Sequence, residues 1–145
     1  MRGPDAHFDP DSRESLMSYY IAKTVSKSFE AAVAEVTASL KEQGFGVLTD
    51  IDVQATLKAK IGADIARYRI LGACNPRIAH EALMKEERLG VLLPCNVIVR
   101  ETADKRVEVA TVDPVSAMER TGNPALQPAA QKVRELLTAA IDRLE

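Results

Sequence analysis

The chain has 145 residues, with Lys+Arg 19 against Asp+Glu 21, a net charge of −2, and 46% apolar residues. That length suits one globular domain, which can bury about two-thirds of its unfolded surface without a disulfide or a metal. The charge balance argues against a basic nucleic-acid footprint, the absence of Trp and the few other aromatic residues argue against stacking platforms for single strands, and two cysteines exclude a disulfide-rich scaffold.

Residues 1–16 carry two Pro, a Gly and a high density of charge. They contain no apolar h-region, so they do not read as a signal peptide. They are expected to be a flexible extension, with Met17 as an alternative start. The single domain is then 17–145. No run of 18 apolar residues occurs, so no membrane span is expected. The expected compartment is the cytoplasm, where thiols stay reduced.

Residues 18–26 mix aromatic and β-branched residues and predict a first strand. Ser28 supplies a cap oxygen for a helix. Phe29, Ala32, Val33, Val36 and Leu40 make its apolar stripe, and Gly44 ends it. A second strand follows over 44–53. Asp52 caps a short helix over 53–60, which Gly62 stops. Residues 64–73 alternate and predict a third strand. On it Ile65, Arg67, Arg69 and Leu71 share one face, and Ala66, Tyr68 and Ile70 the other.

Asn75 followed by Pro76 is a helix start, giving a helix over 76–86. Residues 91–100 are apolar on both faces and predict a fourth strand, although Pro94 needs a bulge or an unpaired edge. A polar turn joins it to a fifth strand over 106–113. A short turn or helix follows at 114–119. Asn123 and Pro124 then repeat the cap-and-proline start. Leu126, Ala129, Ala130, Val133, Leu136, Leu137, Ala140, Ile141 and Leu144 mark the apolar face of a final helix over 124–144. A hairpin near the C-terminus rules out a purely parallel sheet. The expected fold is α+β: a two-layer sandwich with helices packed on a mostly antiparallel mixed sheet of about five strands.

Two segments repeat one theme, GACNP at 72–76 and LPCNV at 93–97. Each sets a Cys directly before an Asn, beside a Pro. Cys74 stands at a helix N-terminus, where the dipole and free N–H groups favour a thiolate. Cys95 lies in a neighbouring strand. Asn75 and Asn96 are expected to add amide donors to the same spot. Such a place can hold a small anion or a sulfur species. Arg67 and Arg69 lie on the strand that ends at Cys74 and are candidates to clamp an anionic ligand there. Asp52 with Asp50 is a weaker acid–base candidate, since one of them serves as a cap. No residue is assigned as a metal ligand, because zinc wants four ligands and no CxxC occurs. Two thiolates suffice for copper(I), so a soft-metal carrier stays among the alternatives. The plainer alternative makes both cysteines packing residues of a non-catalytic assembly module. Its dimer surface would be the apolar strand 91–99 and the helix 124–144. The residues themselves name no cofactor and no reaction.

On GFGVLTDIDVQATLKAKIG at 44–62, YRILGACNP at 68–76, LLPCNVIV at 92–99 and the 113–124 region, the chain resembles the family named domain of unknown function 302. The resemblance spans about 18–144. It implies a compact α+β fold and a homodimer. It implies no activity.

Overall fold

The computed structural model describes residues 18–145. The extension expected at 1–16 lies outside the described residues. The elements are β1 (Tyr20–Val25), α1 (Phe29–Glu42), β2 (Gly46–Asp52), α2 (Val53–Ile61), β3 (Tyr68–Cys74), α3 (Pro76–Lys85), β4 (Cys95–Glu101), β5 (Val107–Val112), α4 (Pro114–Glu119) and α5 (Gln127–Asp142). Short polar side chains start most of the helices. Ser28 accepts from the Ala31 N–H at 3.3 Å and Asp52 from Ala55 at 2.9 Å. Asn75 accepts from Ile78 at 3.4 Å and Asp113 from Val115 at 3.0 Å. Each bond satisfies a donor that the first helical turn leaves without a partner.

The five strands lie in the order β1-β5-β4-β3-β2, and every pairing is antiparallel. This is the expected α+β arrangement, with no parallel pair in the sheet. β2 to β5 form a meander, and β1 joins along the free edge of β5. One face of the sheet presents Leu71, Ala73, Cys95, Val97, Val99, Val107 and Val109 to α1 and α5. Phe29, Val36 and Leu40 of α1 and Val133, Leu137 and Ile141 of α5 fill that layer. Each large apolar side chain buried there stabilises the fold by roughly 1.5–3 kcal/mol relative to exposure. A second, smaller cluster of Ala82, Leu89, Met118, Leu126 and Ala130 closes the end of the sandwich near α3 and α4.

Two expectations are corrected. The fourth strand starts at Cys95, not at residue 91; Leu89–Leu92 is a 3-10 turn. Pro94 has no N–H to give a ladder, so regular pairing begins after it. The final helix starts at Gln127, not at residue 124, and buries its apolar face against its own sheet. What precedes α5 is a 3-10 turn, Pro124–Leu126, capped by Asn123.

The end of the chain is tied to β1. The Lys23 ammonium donates to the carbonyls of Asp142, at 3.1 Å, and Leu144. Ser26 donates to the Glu145 carbonyl through its N–H at 3.1 Å and its hydroxyl at 2.8 Å.

Gly72 is a contact that admits no side chain. A Cβ there would sit 2.2 Å from Thr49 Oγ1 and 2.7 Å from Pro94 Cγ. Gly72→Ala is therefore expected to destabilise by about 1–3 kcal/mol, as overpacking does. Gly90→Ala, with nothing within 4 Å of the added carbon, is expected to stay within about 0.5 kcal/mol of wild type. Urea unfolding of the two variants reads the difference; equal midpoints would show that Pro94 does not need the space.

Candidate functional site

Cys74 is the last residue of β3, and Asn75 caps α3 immediately after it. Both cysteines are free. In the β3–β4 ladder Ala73 stands opposite Cys95, and Gly72 opposite Asn96. Cys95 therefore faces the helices, and it is 8% exposed. Cys74 follows Ala73 by one residue and is half-buried at the strand end. The two cysteines line one small cavity of about 30 Å³, together with Phe45, Ile78, Leu89 and Met118. That volume has room for about one water, and its walls are mostly apolar.

Burial pushes the Cys95 thiol up to about 11, with the neighbouring Cys74 adding to the shift. A thiol in that state is a neutral packing group at physiological pH.

The other candidates do not converge on the cysteines. Asn75 is occupied as a cap, and its amide packs over Gly44, where a Cβ would lie 3.1 Å from Nδ2. Gly44 has φ +89, a conformation glycine adopts without strain. Asn96 is exposed and points away from the helices, because neighbours along a strand leave opposite faces. Asn96 thus leaves the face that Cys95 occupies, while Cys74, one residue past Ala73, alternates toward the face of Asn96 at the strand end. Arg69 makes a two-toothed contact with the Asp50 carboxylate, Nε to Oδ1 at 2.7 Å. This guanidinium holds the Asp50 carboxyl below its usual range. Arg67 pairs with Glu30 and lies over the Phe29 ring at 4.3 Å. Arg69 is five residues from Cys74, roughly 17 Å along an extended strand. Both arginines are paired with carboxylates away from Cys74. Asp52 is spent as the α2 cap and stands opposite Arg69. His80 is exposed on α3. Among the described residues, no group of three His, Cys, Asp or Glu side chains could hold a metal ion.

Sequence reasoning passed over two features. One is the pair of close contacts that joins the two motifs: Pro94 against Gly72, and Asn75 against Gly44. The other is the far face of the sheet, where Arg100 donates to Glu108 at 2.8 Å and Glu108 is 7% exposed. The available signal was a lone charge inside each of two apolar strands.

A family model for the domain of unknown function DUF302 matches residues 21–144. A crystal structure of an uncharacterized conserved protein DUF302 from Bacillus stearothermophilus shares the fold, with a TM-score of 0.82 and 28% identity over 88% of this chain and 98% of that one. No curated protein matches. Among the described residues, no helix is long and apolar enough to cross a membrane.

The buried thiol makes stability depend on pH. Its ordinary value is 9.0 and its folded value is about 11. Between those values the unfolded chain has lost the proton and the folded chain keeps it. The contribution is full below pH 9 and is lost as pH rises toward 11, by roughly 2–3 kcal/mol in all. Urea unfolding across that window should show the decline in wild type and less of it in Cys95→Ala. Identical pH profiles would place the titrating group elsewhere.

Proposed function

The chain belongs to the DUF302 family, and on that premise we propose that its functional centre is a thiol site at the β3–α3 junction. Cys74 is the reacting group, Cys95 is its neutral neighbour, and the occupant is a small sulfur-containing or anionic ligand. The observation that supports this is the contrast between the two thiols: Cys95 is buried and raised to about 11, whereas Cys74 is half-buried at the start of α3. At pH 7 the thiolate fraction of Cys95 is about 10⁻⁴. The first-turn N–H groups of α3 and the helix dipole favour negative charge beside Cys74. Asn75 and Gly44 fix the turn that carries it. Arg67, Arg69 and Asp52 stand outside this site, and Asn96 lies beside it on β4.

The chemistry open to such a thiol is exchange. The Cys74 thiolate attacks one sulfur of a small disulfide. A new S–S bond forms at Cys74, and the old one breaks. The other sulfur leaves with the electron pair and takes up the proton that Cys74 gave, so no outside oxidant is needed. The small cavity behind the thiols leaves room only for a compact group on their side. A larger ligand must lie on the solvent side of Cys74.

The test is alkylation of the native protein with iodoacetamide, with the labelled peptide identified by mass spectrometry. Cys74 should react at least about tenfold faster than Cys95. Cys95→Ala should keep the fast phase and Cys74→Ser should lose it. Incubation with glutathione disulfide should give one adduct, at Cys74. Slow, equal labelling of both cysteines would sink the reading and leave them as packing residues.

A further inference from the structure

The sheet face turned away from α1 and α5 holds a recess. Register sets Ile98, Ala110 and Ala22 side by side, with Arg100, Glu108 and Thr24 in the next row. The alanines stand low among larger side chains, and the dip over Ala110 has a volume of about 480 Å³. Ile98 and Ala110 form its floor. Asn96 and the rings of Tyr19 and Tyr20 close one end, and Tyr68, Arg100 and Glu108 the other. Ala110 is 6% exposed and Glu108 7%, whereas Tyr19 at the rim is 71% exposed. The floor is thus deep and the mouth open, which suits a small molecule rather than a second sheet. The volume falls within the ordinary range of small-molecule sites.

We propose that this recess binds a small aromatic carboxylate, with its acid group on Arg100 and its ring over Ala110. The charges select an anion. Arg100 donates through Nε to Glu108 at 2.8 Å, and among the described residues its side chain makes no other hydrogen bond. Both Nη groups therefore keep their donors, in the fork that matches a carboxylate. The Arg100 side chain is 38% exposed and that of Glu108 9%, so the cation is the open member of the pair. Glu108 is a positioning residue that fixes the guanidinium from the buried side. Tyr68 stands opposite Arg100 and brings a phenol to the same end. The middle of the recess selects a ring. Ile98 and Ala110 offer no polar side-chain atom, and the small Ala110 methyl leaves space beside the tyrosines. Tyr19 and Tyr20 stand edge to face with 5.1 Å between ring centres. An aromatic guest gains from such rings beyond the area it buries. At the far end the exposed Asn96 offers an amide that makes no hydrogen bond among the described residues. Arg100 lies four residues from it, about 13 Å along the strand. That span suits one ring with a short acid chain on one side and a hydroxyl on the other. Arg100 stands opposite Tyr68, six residues and roughly 20 Å of β3 from Cys74. The acid grip thus lies outside the thiol site, and the two readings stand or fall apart.

The test uses 4-hydroxycinnamate, titrated into the full chain by calorimetry. Wild type should bind one molecule per chain. The methyl ester of the probe keeps the ring and loses the charge, and should bind at least about tenfold more weakly. Arg100→Gln should weaken binding of the acid by about tenfold or more. Arg67→Gln removes an equal charge outside the recess and should bind like wild type. Ala110→Leu fills the floor and should abolish binding with an unchanged far-ultraviolet spectrum. Should a recess variant fail to fold, the comparison of acid with ester and the amide shifts of isotope-labelled wild type decide. The shifts should gather on β4 and β5 around Ile98, Arg100 and Ala110. No binding by wild type, an ester that binds as well as the acid, or an Arg100→Gln that keeps its affinity overturns the proposal. So does an equal loss in Arg67→Gln, normal binding by Ala110→Leu, or shifts gathered on α3 beside Cys74.

Discussion

Successive side chains of a strand leave opposite faces of the sheet, and in this protein that alternation sorts nearly every residue of interest. Val97 and Val99 of β4, and Val107 and Val109 of β5, all turn toward α1 and α5 and are buried at 5% exposure or less. Their neighbours Ile98, Arg100, Glu108 and Ala110 turn the other way. The helices cover one side, and β1, β3, β4 and β5 are anchored by buried apolar residues, whereas β2 contributes only the partly buried Val47. The same parity sends Cys95 into the core and Asn96 out of it. Two residues adjacent in sequence thereby come to belong to different surfaces.

The paired motifs have a mechanical use that their chemistry does not suggest. Pro94, from the second, rests in the space left by Gly72 of the first, beside Thr49 of β2. Asn75 caps α3 and lies over Gly44, where α1 turns toward β2. Three strands and two helices are thus gripped by contacts that each need one particular small or rigid residue. The thiols sit inside this grip. Cys74 is held at a fixed place at the α3 start, and Cys95 is walled off from water. The arrangement leaves one sulfur half-buried and the other buried.

Much of the fold was legible because its signals are local. The caps at Ser28, Asp52, Asn75 and Asn123 act on donors within three residues, so spacing alone reveals them. The stripes of α1 and α5 repeat at the helical period over 14 and 16 residues. The start of β4 was misplaced because a short apolar run reads alike as strand or turn, and residues 89–92 are a 3-10 turn in which only Leu89 is buried. The site was legible only in part. That Arg69 is bound to Asp50 and Arg67 to Glu30 depends on partners 19 and 37 residues away. That Asn96 leaves the face of Cys95 depends on the register of β3 with β4. Both are facts of tertiary pairing, which spacing within one segment does not carry.

The place of β1 also sets the order in which the chain can assemble. β2, β3, β4 and β5 each pair with a neighbour in sequence, through connections far shorter than the one between β1 and β5, so their closure costs less entropy. β1 must wait for β5, and the lysine that secures it grips a carbonyl 119 residues further on. Non-local closure of that kind comes late in folding. It also gives first when the structure loosens, because the strand at the edge and the tail it clasps release each other together. β1 and the C-terminal segment behave as a single latch, fastened after the meander has formed and opened before it melts.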